Sequence, residues 1–180
     1  MLENLVSLEL LWYNVSIEEI MQSKKATSTD NQQERLKFVG WIVGFTDGEG
    51  TFSVSRIKNP TTKSGYQIFP EFVITQGAKS LFCLKKIQRY FGCGKIYINK
   101  RYDNHKEHLY RYCVRSRKDL IQYIIPFFKK NRLKTAKIKD FNRFCKIIKE
   151  MEKGNHLKRN FRILNDYTSN PSQNIGTRKK

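Results

Sequence analysis

The period of apolar and polar positions changes several times along this chain, and each change marks an element. Phe38, Val39, Trp41, Ile42, Val43 and Phe45 form an apolar helical run that stops at Asp47-Gly48-Glu49-Gly50. Thr51 to Ile57 then alternates, with Phe52 and Val54 on one side and Thr51, Ser53, Ser55 and Ile57 on the other. Asn59-Pro60 and Ser64-Gly65 signal a hairpin loop, and a second strand is expected from Tyr66 to Gln76. Leu81, Leu84, Ile87 and Phe91 have the spacing of one helix face, so Lys79 to Phe91 reads as a helix stopped by Gly92-Cys93-Gly94.

A third strand is expected over Lys95 to Arg101, with Ile96 and Ile98 toward the core and Lys95, Tyr97, Asn99 and Arg101 opposite. A fourth, Leu109 to Ser116, separates Arg111, Cys113 and Arg115 from Tyr110, Tyr112 and Val114. Two helices follow. Lys118 to Phe128 should turn Leu120, Tyr123, Ile124 and Phe127 inward, and Thr135 to Met151 should turn in Ile138, Phe141, Phe144, Ile148 and Met151. This order predicts an α+β domain, a four-stranded antiparallel sheet with helices on one face. The expected divisions are an N-terminal extension at 1–34, the domain at 35–168 and a basic flexible tail at 169–180. Within the extension, Leu5 to Tyr13 is an apolar stretch and Ser23 to Gln33 reads as a polar linker. Asn160 to Asp166 is one further candidate turn of helix.

Charge narrows the function. The chain of 180 residues carries a net charge of +19. It is unevenly placed: residues 1–34 hold two lysines against six acids, −4, while the remainder holds 33 bases and 10 acids, +23. A domain that basic is expected to bind a polyanion, foremost nucleic acid. A membrane is not an expected partner, because no apolar run is long enough to span one and no basic amphipathic helix is present. A secretory leader is not expected either, since no basic start or small-residue cleavage site flanks the apolar N-terminal stretch. Cys83, Cys93, Cys113 and Cys145 lack paired zinc spacing and suit a reducing compartment. Abundant Lys, Asn, Ile and Phe suggest an AT-rich genome, so an organelle, mitochondrion or chloroplast, is the expected setting, with a bacterial cytoplasm as the other.

The polar faces of the strands suit this charge. Lys95, Tyr97, Asn99, Arg101, Arg111 and Arg115, together with Ser53 and Ser55, present donors and acceptors fitted to phosphates and base edges. A two-stranded ribbon fits the major groove of DNA. A solvated charged sheet face is the ordinary alternative.

The helical run has an odd feature. Gly40, Gly44 and Gly48 recur every four residues and share one helix face, although each interior glycine costs roughly 1 kcal/mol against alanine. A face without side chains suits close packing of two helix backbones. Asp47 and Glu49 then stand where helix gives way to strand, placed either to cap the junction or to hold a divalent cation.

Ile42 to Gly50 resembles the nine-residue motif of the LAGLIDADG homing endonucleases. The apolar start, Gly44, Asp47, Gly48, Glu49 and Gly50 fall in register, and the strand Thr51-Phe52-Ser53-Val54-Ser55 follows directly. The resemblance runs from about Leu36 to Met151 and is greatest to single-motif members encoded in ribosomal RNA gene introns. It implies an αββαββα fold and site-specific, magnesium-dependent double-strand cleavage of a long pseudo-palindromic DNA, an intron-free ribosomal RNA gene. It assigns metal binding to Glu49, with the Gly48 carbonyl as a further ligand, water organisation to Gln76, and charge stabilisation to Lys137, with Lys134 as its runner-up. Asp47 has a weaker catalytic claim, tying the junction being the stronger reading. Where some relatives place an arginine, this chain has Ser80, next to Lys79. A single motif implies a homodimer formed through Gly40, Val43 and Gly44. The alternatives are an RNA maturase that binds its own intron RNA, and a non-cleaving DNA-binding protein.

Overall fold

The computed structural model describes residues 28–62, 64–100 and 107–157. Arg101, the N-terminal apolar stretch, Asn160 to Asp166 and the basic tail lie outside them. The chain divides into two compact units, Met1–Val43 and Gly44–Lys180, with the first helix running through the division.

That helix, α1, spans Ser28–Glu49. It begins earlier than the polar composition of residues 23–33 suggests. Gln32, Gln33, Glu34 and Arg35 are good helix formers, and their exposure accounts for a polarity that reads as linker. In the first unit Phe38 stacks on Trp41 at 5.4 Å between centroids.

The second unit holds the sheet. β1 (Gly50–Lys58) and β2 (Tyr66–Gly77) pair antiparallel, β4 (Leu109–Val114) joins β2, and β3 (Lys95–Asn99) lies outside β4, giving the order β1-β2-β4-β3. The remaining elements are a 3-10 turn at Ala78–Ser80 followed by α2 (Leu81–Phe91), α3 (Arg117–Asp119), a π turn (Leu120–Ile124), α4 (Ile125–Lys130), α5 (Lys137–Glu152) and a second 3-10 turn at Asn155–Leu157. The expected α+β architecture with four antiparallel strands is therefore present.

Alternation decides which face is covered. Phe52, Val54, Phe72, Ile74, Tyr112 and Val114 point to one side and are buried. Phe52 is the centre of an aromatic cluster, with Phe72 at 5.0 Å, Phe128 at 5.4 Å and Phe141 at 5.0 Å. Fully burying a phenylalanine contributes about 1.5–3 kcal/mol, so this cluster clamps β1 to the helices just three residues beyond Glu49. Gly94 closes the other end of the sheet: at φ +78° a Cβ would lie 2.7 Å from the Tyr112 ring, so only glycine fits.

Two inward faces differ from the periodic reading. Leu120, Ile124, Ile125 and Phe128 are buried, whereas Tyr123 is 40% exposed and Phe127 only half-buried. Pro126 cannot donate a helical hydrogen bond, and the preceding turn widens to π geometry, with the Ile125 amide bonding to the Leu120 carbonyl. The wider turn shifts the apolar face by one residue. Ile98, expected in the core, is 46% exposed because β3 is the edge strand and has a neighbour on one side only.

The last turn of α1 is tightly built. A Cβ on Gly50 would lie 2.5 Å from Thr46 Cγ2 and 2.8 Å from its carbonyl oxygen, so the closing glycine permits the turn into β1. Thr46 is fully buried and, among the described residues, its hydroxyl has no hydrogen-bond partner. Thr46→Val removes that hydroxyl at nearly constant shape and should stabilise the protein by about 1 kcal/mol. Thermal unfolding followed by circular dichroism should show a Tm higher by about 2–5 °C, and a lower Tm contradicts the unpaired state of the hydroxyl.

Candidate functional site

The junction of α1 and β1 brings most of the sequence-predicted chemistry together. Glu49 is exposed, and among the described residues nothing bonds its carboxylate. Gly50 pairs with Ile74, so Gln76, two residues further along β2, lies beyond that pair, level with the end of α1. Lys137, at the start of α5, donates from Nζ to the Thr46 carbonyl at 2.9 Å and reaches the Gly48 carbonyl at 3.4 Å. Burial lowers the pKa of Lys137, while the charges of Asp47, Glu49 and Asp140 act the other way. The lysine is thus a fixed cation beside the open carboxylate. Lys134 contributes its backbone rather than its ammonium, donating from N to Asp47 Oδ2 at 2.7 Å.

Asp47 is the tie. Besides the Lys134 amide, it accepts from the Thr135 amide at 3.3 Å and from the Thr135 hydroxyl at 2.7 Å. Burial works to raise its pKa, but these hydrogen bonds outweigh it and hold the carboxyl below its ordinary value. The stability this contributes is present above the unfolded carboxyl pKa of 3.8 and is lost as pH falls through the lower folded value. Acid titration of Asp47→Asn should show less of that loss than wild type, measured by Tm between pH 5 and pH 2.5, roughly the range over which a salt-bridged or hydrogen-bonded Asp titrates.

The donor set fits a hard cation. Among the described residues no three His, Cys, Asp or Glu side chains form a closed metal cage. One open carboxylate with a neighbouring carbonyl oxygen instead suits a hard divalent cation that takes its remaining oxygens from water and phosphate. Glu107 supports the site from behind: its Oε1 accepts from the Lys79 amide at 2.7 Å, and a Cβ on Gly77 would lie 2.9 Å from Oε2. It thereby fixes the turn directly after Gln76. The Lys79 side chain is exposed there, with Ser80 following.

Gly40, Gly44 and Gly48 form an exposed line on α1, and a Cβ at any of them would meet nothing within 4 Å among the described residues. Leu36, one turn earlier, is 58% exposed. Val43 does not belong to this line. It is only 7% exposed, whereas the three glycines are exposed.

The outer face of the sheet carries Ser53, Ser55, Lys95, Tyr97, Asn99 and Arg111 by register, Tyr97 standing opposite Arg111, with Arg115 one residue past β4. Cys113, expected on this face, is buried beneath it, and burial pushes its thiol up to about 11. Arg101 lies outside the described residues.

The LAGLIDADG endonuclease family model matches residues 42–148, more than half of the chain. The chain belongs to the LAGLIDADG endonuclease family. It is 32% identical over 104 residues to the probable intron-encoded endonuclease 2 of Neurospora crassa, covering 58% of this chain and 20% of that one. The crystal structure of the homing endonuclease I-TnaI is 37% identical with a TM-score of 0.64, over 77% of this chain and 88% of that one. The meganuclease I-SmaMI bound to uncleavable DNA is 31% identical with a TM-score of 0.64, over 72% of this chain and 42% of that one. I-SmaMI is also known bound to uncleaved DNA in the presence of calcium ions. This LAGLIDADG chain thus spans a fifth of the Neurospora relative's length and less than half of I-SmaMI.

Three contributors escape the sequence reading. Thr135 stands two residues before Lys137 at the start of α5, a position where hydroxyl residues commonly cap helices. Glu107 sits in a polar stretch of the sequence with no periodic signal. Glu71 falls on the outward positions of β2, where alternation sets it opposite Ser53, a signal available from the strand pattern.

Proposed function

We propose that the chain is a divalent-metal-dependent endodeoxyribonuclease that acts as a homodimer on a long, roughly palindromic double-stranded DNA. The observation that carries this is Glu49: an open carboxylate at a rigid junction, with the Lys137 ammonium held on the adjacent carbonyls. Glu49 and the Gly48 carbonyl would hold magnesium, which when bound neutralises the phosphate, activates water and assists the leaving oxygen. Lys137 stabilises charge near the phosphate, Gln76 orients the water, and Asp47 holds the loop that presents Lys137. The exposed glycine line supports pairing of two α1 helices, which sets two Glu49 residues near one axis. The outer sheet face supplies the DNA contacts.

The proposed setting is an organelle, and the proposed substrate is the intron-free copy of the gene that hosts the coding intron, a ribosomal RNA gene first. The test is incubation with plasmids carrying intron-free ribosomal RNA genes, with and without magnesium. Linear product only with magnesium is expected. DNA binding without cleavage of any such gene argues instead for the non-cleaving reading.

A further inference from the structure

Glu71 is the one acid among the described outward strand positions of the sheet. Its carboxylate is not idle. Oε2 accepts from Arg115 Nε at 2.8 Å, and Oε1 lies 3.6 Å from Arg111 Nη2 and accepts from the Ser53 hydroxyl at 3.4 Å. The Cys113 thiol reaches Oε2 at 3.5 Å from beneath. The Glu71 side chain is 19% exposed, whereas that of Arg115 is 57% exposed. The acid therefore lies low on the face and the arginine stands on top of it. Arg115 also passes over the Tyr97 ring at 5.8 Å.

An arginine can grip a planar pair of acceptors through its two terminal nitrogens or through Nε and one of them. Here Nε is taken by Glu71, so only the terminal fork is left to point away from the sheet. That fork matches the O6 and N7 acceptors of guanine in the major groove. A flexible arginine on a basic face binds any phosphate, whereas one tethered at Nε is preorganised for a base edge. The acid also removes one unit of positive charge from the face, which weakens contact with arbitrary sequence.

We propose that Glu71 is a specificity-determining positioning residue, which fixes Arg115 to read one guanine in each half of the DNA site. This rests on the sheet face being the DNA surface. Two opposite effects follow from Glu71→Gln. Affinity for arbitrary duplex DNA rises or holds, because a negative charge is gone. Affinity for the preferred site falls, because a neutral amide oxygen holds Nε less firmly than the charged carboxylate and the fork is freer to turn.

The experiment uses a randomised double-stranded DNA pool and the full chain, with selection of bound sequences by wild type, Glu71→Gln and Arg115→Ala. Wild type should enrich a motif containing one invariant guanine per half-site. Both variants should lose preference at that same position by roughly 5- to 150-fold, the discrimination of one bidentate contact. Arg115→Ala should also weaken non-specific binding, and Glu71→Gln should not. A Glu71→Gln protein that enriches the wild-type motif with unchanged preference overturns the proposal. A wild type that binds the pool but is indifferent to Arg111→Ala and Arg115→Ala overturns the sheet face as the DNA surface instead. Circular dichroism of each variant identifies loss of fold, in which case Glu71→Asp, too short to reach Nε, replaces Glu71→Gln with the same two outcomes.

Discussion

Glu49→Gln should abolish DNA cleavage while leaving DNA affinity within a few-fold of wild type. The substitution keeps the side-chain shape and removes the charge that would hold the cation. Metal catalysis contributes several kcal/mol of transition-state stabilisation, and about 1.4 kcal/mol corresponds to tenfold in rate. The expected loss is therefore roughly 10³-fold or more. The fold should not suffer, because Glu49 is exposed and, among the described residues, its carboxylate bonds to nothing. Asp47→Asn should behave differently. Its carboxylate is bonded to Lys134 and Thr135, so it should lower stability along with rate. Cleavage rates and gel-shift affinities of both variants, with Tm as the control, separate the two roles. Full-rate cleavage by Glu49→Gln removes that residue from the chemistry.

Gly44→Leu should dissociate the dimer and spare the monomer. A Cβ at this position meets nothing within 4 Å among the described residues, so the chain has room for the side chain. Leucine also favours the helix over glycine by about 0.8 kcal/mol. A lone chain should thus unfold no earlier than wild type. In a symmetric pair the new side chain intrudes twice where the helices nearly touch, and overpacking of this kind costs about 1–3 kcal/mol each time. Sedimentation equilibrium should give a monomer mass for Gly44→Leu and a dimer mass for wild type on DNA, with double-strand cleavage lost. A wild type that stays monomeric on its DNA contradicts the interface.

Much of this arrangement is legible in the residue pattern because period and position reinforce each other. The strands read clearly because Phe52 and Val54, or Tyr112 and Val114, alternate against polar neighbours. The junction reads clearly because two acids and two glycines at Asp47-Gly48-Glu49-Gly50 end the apolar run, and the helix closes at Glu49, directly before β1. What the pattern conceals is set by tertiary structure. Pro126 widens a turn and moves the buried face from Phe127 to Phe128. Val43 is apolar and near the glycines in sequence, yet it is buried where they are exposed. Glu71 and Thr135 act through partners 44 and 88 residues away, distances that no local pattern encodes.

The most direct test of the central claim, one acid per chain and two chains per break, is a mixed dimer. Wild-type and Glu49→Gln chains carrying different affinity tags are co-expressed, and the doubly tagged species is isolated and incubated with a supercoiled plasmid bearing the cleaved site and magnesium. The account predicts nicked circles, because the intact Glu49 cuts its own strand and its partner cannot. Linear DNA at the wild-type rate from that species would contradict it.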